Sequence, residues 1–205
     1  MKAIGTLFVI SSPSGGGKTS LVHALIANVD HVKVSVSYTT RTARNNEVEG
    51  TNYFFVDEPQ FRALEKQNVF LESAHVFGRY YGTSKKWVLE QLENGTDVIL
   101  EIDWQGMRKV KAQMDMVSIF ILPPSRDILH ARLQHRAQDN TQVIEARMNQ
   151  ATTEISHYNE YDFVVVNDDF DMALKDLTTI IMAQRLKLKA QSLRYRELLL
   201  DLLRE

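Results

Sequence analysis

The apolar run Leu7-Phe8-Val9-Ile10 stops abruptly at Ser11-Ser12-Pro13-Ser14-Gly15-Gly16-Gly17-Lys18-Thr19-Ser20, and a helical pattern then begins. Glycines let consecutive backbone N–H groups curl around phosphate oxygens, and a helix N-terminus adds partial positive charge. Lys18 then stands where it can bridge β- and γ-phosphates, and the Thr19 hydroxyl where it can ligate Mg²⁺. The segment therefore predicts a nucleotide-phosphate site made by Pro13, Ser14, Gly15, Gly16, Gly17, Lys18, Thr19 and Ser20. The first glycine of the consensus falls on Ser12, a residue small enough to keep the turn. An ordinary glycine turn beside a surface lysine is the competing reading. The strand before, the helix after and the intact Gly-Lys-Thr ending weigh against it.

Around this loop, short apolar runs alternate with amphipathic stretches. Thr6–Ser11, Val32–Ser37, Asp97–Ile102, Ser118–Leu122 and Phe163–Val166 read as strands, with helical patterns at Lys18–Ala27 and Ser125–Leu133. Such alternation implies crossover connections and an α/β fold with a mostly parallel sheet flanked by helices. Between Val34 and Thr83 the rhythm changes. Tyr53–Val56, Val69–Phe77 and Tyr80–Thr83 lie close together around one short helix that Asp57 can cap, with Pro59 in its first turn. This predicts a small mixed α+β subdomain. Ser84 can cap the next helix, and Asn94-Gly95 ends it. The polar, arginine-bearing stretch from Arg126 to Thr152, broken at Gln138-Asp139-Asn140, reads as two helical arms that can move. Phe170 to Leu203 carries one long helical pattern, with Ile180, Ile181, Leu186 and Leu198 among its apolar positions. The expected division is one domain over residues 1–205. Its core takes about 1–33, 95–125 and 153–205, its subdomain about 34–94 and its helical lid about 126–152.

A length of 205 residues allows one good core. The net charge of −2 argues against a dedicated nucleic-acid binder, while leaving room for arginines that converge on an anion. With no cysteine, disulfides and thiolate metal sites are excluded, which fits a reducing compartment. The first ten residues run into a glycine loop rather than a cleavage site and read as a buried strand. No segment has the ~20 apolar residues of a membrane span, so the expected location is cytoplasmic. The six histidines show no metal-ligand spacing.

Several further motifs occur in a fixed order: Ser35-Val36-Ser37-Tyr38-Thr39-Thr40-Arg41 running on to Arg44, Glu47-Val48-Glu49-Gly50 leading to Tyr53, Phe70-Leu71-Glu72, Tyr80-Tyr81-Gly82-Thr83 and Ile102-Asp103-Trp104-Gln105-Gly106. With the phosphate loop, they make the chain resemble guanylate kinases over nearly its whole length. The resemblance implies ATP-dependent phosphorylation of GMP, and of dGMP, with Mg²⁺ as cofactor. It implies that Ser37, Arg41, Arg44, Tyr53 and Tyr81 hold the GMP phosphate, and that Glu72, Thr83 and Asp103 choose the base. It also implies that Arg132, Arg136 and Arg147 close over the transferring phosphoryl group with Lys18 and Arg41, and that Asn167 lies near the adenine of ATP. His135 and Ala137 stand where the family often has glycines, which bears on how freely the lid bends.

The chemistry is sensible on its own terms. A phosphate dianion takes guanidinium forks and hydroxyl donors. Guanine offers two adjacent donors, which an acceptor-only carboxylate can receive, whereas adenine does not. Glu101 and Asp103 alternate at the end of an apolar strand and share a face, and the division of base contact and metal work between them stays open. Arg132 and Arg136, four apart, share a helical face. Without the motifs, these residues would read as solvated charges and packing tyrosines. A kinase for another nucleoside monophosphate, and a non-catalytic interaction module of similar fold, are the rival functions. The intact Lys18 and Thr19 weigh against the module. The expected partners are the small molecules ATP and GMP, with no nucleic acid and no membrane. Oligomeric state, a homo-oligomer included, is left open.

Overall fold

Every residue of β1 (Leu7–Ser11) is buried, so this strand must be covered on both faces. Side chains alternate along a strand, and β1 divides accordingly. Phe8 and Ile10 enter one apolar core, Leu7 and Val9 another on the opposite side. The computed structural model describes residues 4–76, 78–136 and 141–204, without the side chains of 135, 136, 141 and 142. Among the described residues, β1 is the centre of a parallel five-stranded sheet in the order β2-β7-β1-β8-β9. Its neighbours are β2 (Val32–Val34), β7 (Asp97–Glu101), β8 (Val117–Leu122) and β9 (Phe163–Val166).

The first core lies under α1 (Lys18–Asn28) and α7 (Phe170–Arg185), which contribute Leu21, Val22, Leu25, Ala173, Leu177 and Ile181. The second lies under α3 (Lys85–Glu93) and α4 (Trp104–Lys111), which contribute Val88, Leu92, Met107 and Val110. Because β1 pairs with β7 on one side and β8 on the other, its carboxyl end is the switch point where α/β sheets bind ligands. The glycine loop leaves the sheet there.

A second, mixed sheet has the order β4-β3-β6-β5, from β3 (Ser37–Thr39), β4 (Tyr53–Phe55), β5 (Phe70–Val76) and β6 (Arg79–Ser84). One face is aromatic. Tyr38 packs on Phe54 and Phe70, and Phe61 from α2 (Glu58–Lys66) stacks on Phe70 at 4.7 Å. Asp57 and Gln60 form a reciprocal capping box at the start of α2, a device worth about 1 kcal/mol, and Pro59 lies in the first turn as its sequence position predicts. Ser84 caps α3 through the Trp87 N–H, also as expected.

Three expectations need adjustment. The run Val32–Ser37 is not one strand. β2 ends at Val34, the Ser35 N–H still reaches the Ile99 carbonyl, and the chain then crosses to the second sheet as β3. The arms are α5 (Arg126–Arg136) and α6 (Thr141–Ile155), the second running past Thr152. The long C-terminal pattern is three helices, α7, α8 (Leu188–Arg194) and α9 (Arg196–Leu202), with Leu186 and Leu198 exposed. Met1–Ala3, Phe77 and the Gln138-Asp139-Asn140 break with Ala137 lie outside the described residues.

One buried charge ties the first sheet together. Asp97 is 3% exposed; one carboxylate oxygen accepts the Thr6 N–H at 2.6 Å and the other accepts Arg185 Nε at 2.8 Å. Arg185 also donates to the Asp30 carbonyl, so the lead-in to β1, the start of β7 and the end of α7 meet at one carboxylate. Asp97→Ala leaves the guanidinium without its counter-ion and the Thr6 N–H without its acceptor. The expected cost is about 3 kcal/mol, the scale for breaking a buried pair. Urea unfolding checks it, with kcat per folded molecule unchanged.

Candidate active site

The loop after β1 is shaped by two left-handed glycines, Gly15 at φ +87° and Gly17 at φ +90°. Gly16 donates to the Pro13 carbonyl at 2.9 Å, so the turn closes with serine at position 12. A Cβ on Gly17 would lie 2.2 Å from the Asn167 side-chain nitrogen, and one on Gly15 would touch Leu129 and Leu133 of α5. The loop thus carries α5 on one flank and Asn167 on the other. Thr19 and Ser20 lie exposed in the first turn of α1, and Pro13 is buried.

Lys18 stands among three carboxylates. Burial pushes its ammonium below the ordinary lysine range, while Glu101, Glu154 and Asp103 pull it back toward the charged form. Asn167 follows β9 and is 5% exposed; its side-chain amide donates to the Gly16 carbonyl at 2.9 Å. Its own carbonyl accepts Arg132 at 3.1 Å. The other terminal nitrogen of Arg132 is buried and has no hydrogen-bond partner among the described residues. Arg136 ends α5, with its side chain outside what the structure describes. Arg147 is half-buried on α6. The two arms close on one another through Leu129, Leu133, Met148 and Ala151.

On the second sheet, register gathers the remaining predicted residues. Ser37 is paired with Tyr53 and with Thr83, and Glu72 is also opposite Thr83. Tyr81 is two residues from Thr83 on β6, so all five side chains rise from one face, opposite the aromatic face. The Thr83 hydroxyl donates to Glu72 at 2.7 Å. Glu72 is 5% exposed, and burial raises its carboxyl to about 7, against the pull of the Thr83 hydrogen bond. Arg41 lies 5.2 Å from the centre of the Tyr53 ring, and the rings of Tyr53 and Tyr81 are 6.1 Å apart. Arg44 is exposed in the loop beyond.

Glu47 and Asp103 do work that their sequence positions did not reveal. Glu47 pairs with Arg41 at 2.7 Å and accepts the Arg44 N–H at 2.8 Å, which holds its carboxyl down at about 2. Its place at the head of the Glu47-Val48-Glu49-Gly50 motif, six residues after Arg41, is the signal that marks it. Asp103 caps α4, with one carboxylate oxygen accepting the Gly106 N–H at 2.8 Å.

The two halves share a border. Glu101 and Asp103 draw the Lys18 ammonium toward its charged form, and the Gly106 N–H that Asp103 accepts belongs to a residue whose Cβ position lies 3.2 Å from Glu72 Oε2. β1 and β7 run side by side with Ile10 opposite Glu101, and Ser11 Oγ donates to the Ile102 carbonyl at 2.6 Å. The carboxylates are thereby fixed beside the loop. A cavity of about 280 Å³ between α5 and α6, floored by Met148, contains none of these groups.

Comparison with known proteins agrees with this geometry. The family model described as guanylate kinase matches residues 4–184. A guanylate kinase of Pseudoalteromonas translucida is 54% identical over 201 residues, covering 98% of each chain. One of Photobacterium profundum is 51% identical over 204 residues, again covering 98% of each. The crystal structure of guanylate kinase from Anaplasma phagocytophilum superposes with a TM-score of 0.76 at 35% identity, covering 93% of this chain and 91% of that one. With motif order, sheet topology and full-length similarity in accord, the chain belongs to the guanylate kinase family.

Proposed function

We propose that this chain transfers the γ-phosphoryl group of ATP to GMP, and to dGMP, giving ADP and the nucleoside diphosphate. The observation that carries this is the shared border: Glu101 is opposite Ile10 where β1 enters the loop, and Asp103 holds the N–H of Gly106, whose Cβ position lies 3.2 Å from Glu72 Oε2 on the second sheet. Donor and acceptor phosphates bound at the two places would approach one another across it.

The loop amides and Lys18 hold the triphosphate. Ser37, Arg41, Arg44, Tyr53 and Tyr81 hold the GMP phosphate, with Glu47 steadying Arg41. Glu72 and Thr83 receive and orient guanine. Asp103 assists the base from a position its capping bond keeps rigid. The acceptor is already anionic at neutral pH, so no general base is required, and catalysis comes from alignment and charge neutralisation. Arg132, with a buried nitrogen available, neutralises charge on the moving phosphoryl group, joined by Arg136 and Arg147 from the arms. Closure of those arms excludes water as a competing acceptor.

Mg²⁺ fits the residues present. Glu101 has a buried carboxylate oxygen without a hydrogen-bond partner among the described residues, and Thr19 offers an exposed hydroxyl. Hard oxygen donors of this kind suit the ion. Thr19 and Glu101 would hold it and its water, and the bound ion would offset phosphate charge. The division proposed is a core, a GMP-binding subdomain over about 34–94 and a lid over about 126–152. No helix among the described residues is long and apolar enough to cross a membrane. We infer that the protein works in the cytoplasm on small nucleotides, without nucleic acid.

A coupled assay of ADP release with ATP, Mg²⁺ and each nucleoside monophosphate in turn tests the assignment. Turnover is expected with GMP and dGMP and little with AMP, CMP or UMP. Equal turnover with AMP would overturn the base assignment.

A further inference from the structure

A carboxylate already sits on the phosphate loop. Glu154, near the end of α6, accepts the Ser14 backbone N–H through Oε2 at 3.2 Å. Its other oxygen accepts Gln150 Nε2 at 3.1 Å, one helical turn back, which fixes its orientation. The next residue, Ile155, packs against both the arm cluster and the core under α3 and α4. The end of the second arm is therefore held to the sheet and, through Glu154, to the loop. Lys18 attracts the same carboxylate, while burial raises its pKa.

Backbone N–H groups in a loop of this shape are what bind phosphate oxygens. Ser14 N–H has one hydrogen to give. Two anions cannot both take it, and two anions beside one ammonium repel each other. We propose that Glu154 competes with the triphosphate for the Ser14 N–H and Lys18, so that its carboxylate must leave the loop for ATP to bind. Glu154 is thus a positioning residue that links the arm to occupancy of the loop, a role that depends on the loop binding ATP phosphates as proposed above. A plain strut would instead keep its bond in the complex and help the loop hold ATP.

Glu154→Gln retains an acceptor for Ser14 while deleting the charge, and Glu154→Ala deletes both. The dissociation constants of MgATP and of GMP, each measured alone by calorimetry, separate the alternatives. Competition predicts that Glu154→Gln tightens MgATP about fivefold, the size of one like-charge contact in a water-like dielectric, with GMP affinity unmoved. Glu154→Ala should also tighten MgATP, with urea unfolding reporting any loss of stability separately. MgATP affinity unchanged or weakened in Glu154→Gln overturns the proposal. Wild-type protein that failed to bind MgATP would sink the loop assignment instead, so the two failures are distinguishable.

Discussion

Lys18→Ala is expected to lower kcat for GMP phosphorylation about 1,000-fold or more while leaving the dissociation constant of GMP within a factor of two. The magnitude follows from removing a preorganised donor aimed at charge that develops in the transition state, where single deletions cost about 10²–10³ and a phosphoryl-directed cation about 10³–10⁵. Two effects add here. The positive charge on the triphosphate disappears, and Glu101, Asp103 and Glu154 lose the cation that balances them. Three uncompensated carboxylates then face the incoming MgATP dianion, so MgATP affinity should fall as well. Lys18→Arg should not restore the rate. A planar fork differs from a compact ammonium, and the glycine-shaped loop, with Asn167 2.2 Å from the place of a Gly17 Cβ, leaves little room to rearrange. Steady-state kinetics with separate titrations of MgATP and GMP read these quantities. A kcat within tenfold of wild type would remove Lys18 from the chemistry.

The parts of this site that could be read from sequence are those whose signals are local. The glycine loop, the caps at Asp57 and Ser84 and the apolar strands Leu7–Ser11, Asp97–Glu101 and Phe163–Val166 each depend on neighbours within about ten residues. The contact of Glu154 with Ser14 spans 140 positions, and that of Asn167 with Gly16 spans 151. No periodicity encodes such meetings; only the order of strands in the first sheet creates them. Val32–Ser37 misled for a related reason. Its β-branched residues favour extended backbone wherever they lie, and nothing in them marks the point at which the chain leaves one sheet for the other.

The C-terminal segment shows the converse. Its apolar spacing suits a helix, yet Lys187 adopts φ −59°, ψ 144° and Tyr195 φ −108°, ψ 26°, so the helix restarts twice. Propensity favours helix at each point; at the first break the Gln191 side-chain amide donates to the Arg185 carbonyl at 2.8 Å, satisfying an end carbonyl of α7, and neither α8 nor α9 buries a residue. Glu72 lies between these cases. Its motif marked it as a base-recognition residue, but only cross-strand pairing with Thr83 shows how deeply its charge is buried.

That burial makes Glu72→Gln the second large effect, with opposite signs on function and on stability. Guanine presents two donors, and a neutral amide offers one acceptor while turning its own N–H₂ toward them. A site built around a buried acceptor loses heavily when the pairing is broken, so kcat/KM for GMP is expected to fall on the order of 10²–10³-fold with MgATP affinity unchanged. The carboxyl titrates at about 7 in the folded protein against 4.5 as its ordinary value, so the native state holds its proton more tightly than the unfolded chain. Native stability is then fully present below pH 4.5, declines as pH rises toward 7 and levels off above. The loss is about 3 kcal/mol, from roughly two and a half pH units at 1.36 kcal/mol each. Glutamine carries no such charge. Urea titrations at pH 5 and pH 8 should therefore show Glu72→Gln gaining on wild type as pH rises, although it is nearly inactive. GMP recognition should move the other way in wild type: kcat/KM declines as pH drops below 7, because the proton that relieves burial also removes the acceptor that guanine needs. The variant's profile should lack that step, which separates it from titration of the GMP phosphate itself. A variant that lost stability at pH 8 would mean that Glu72 is held in the fold as a favourable ion, and the link between its burial and guanine selection would fail.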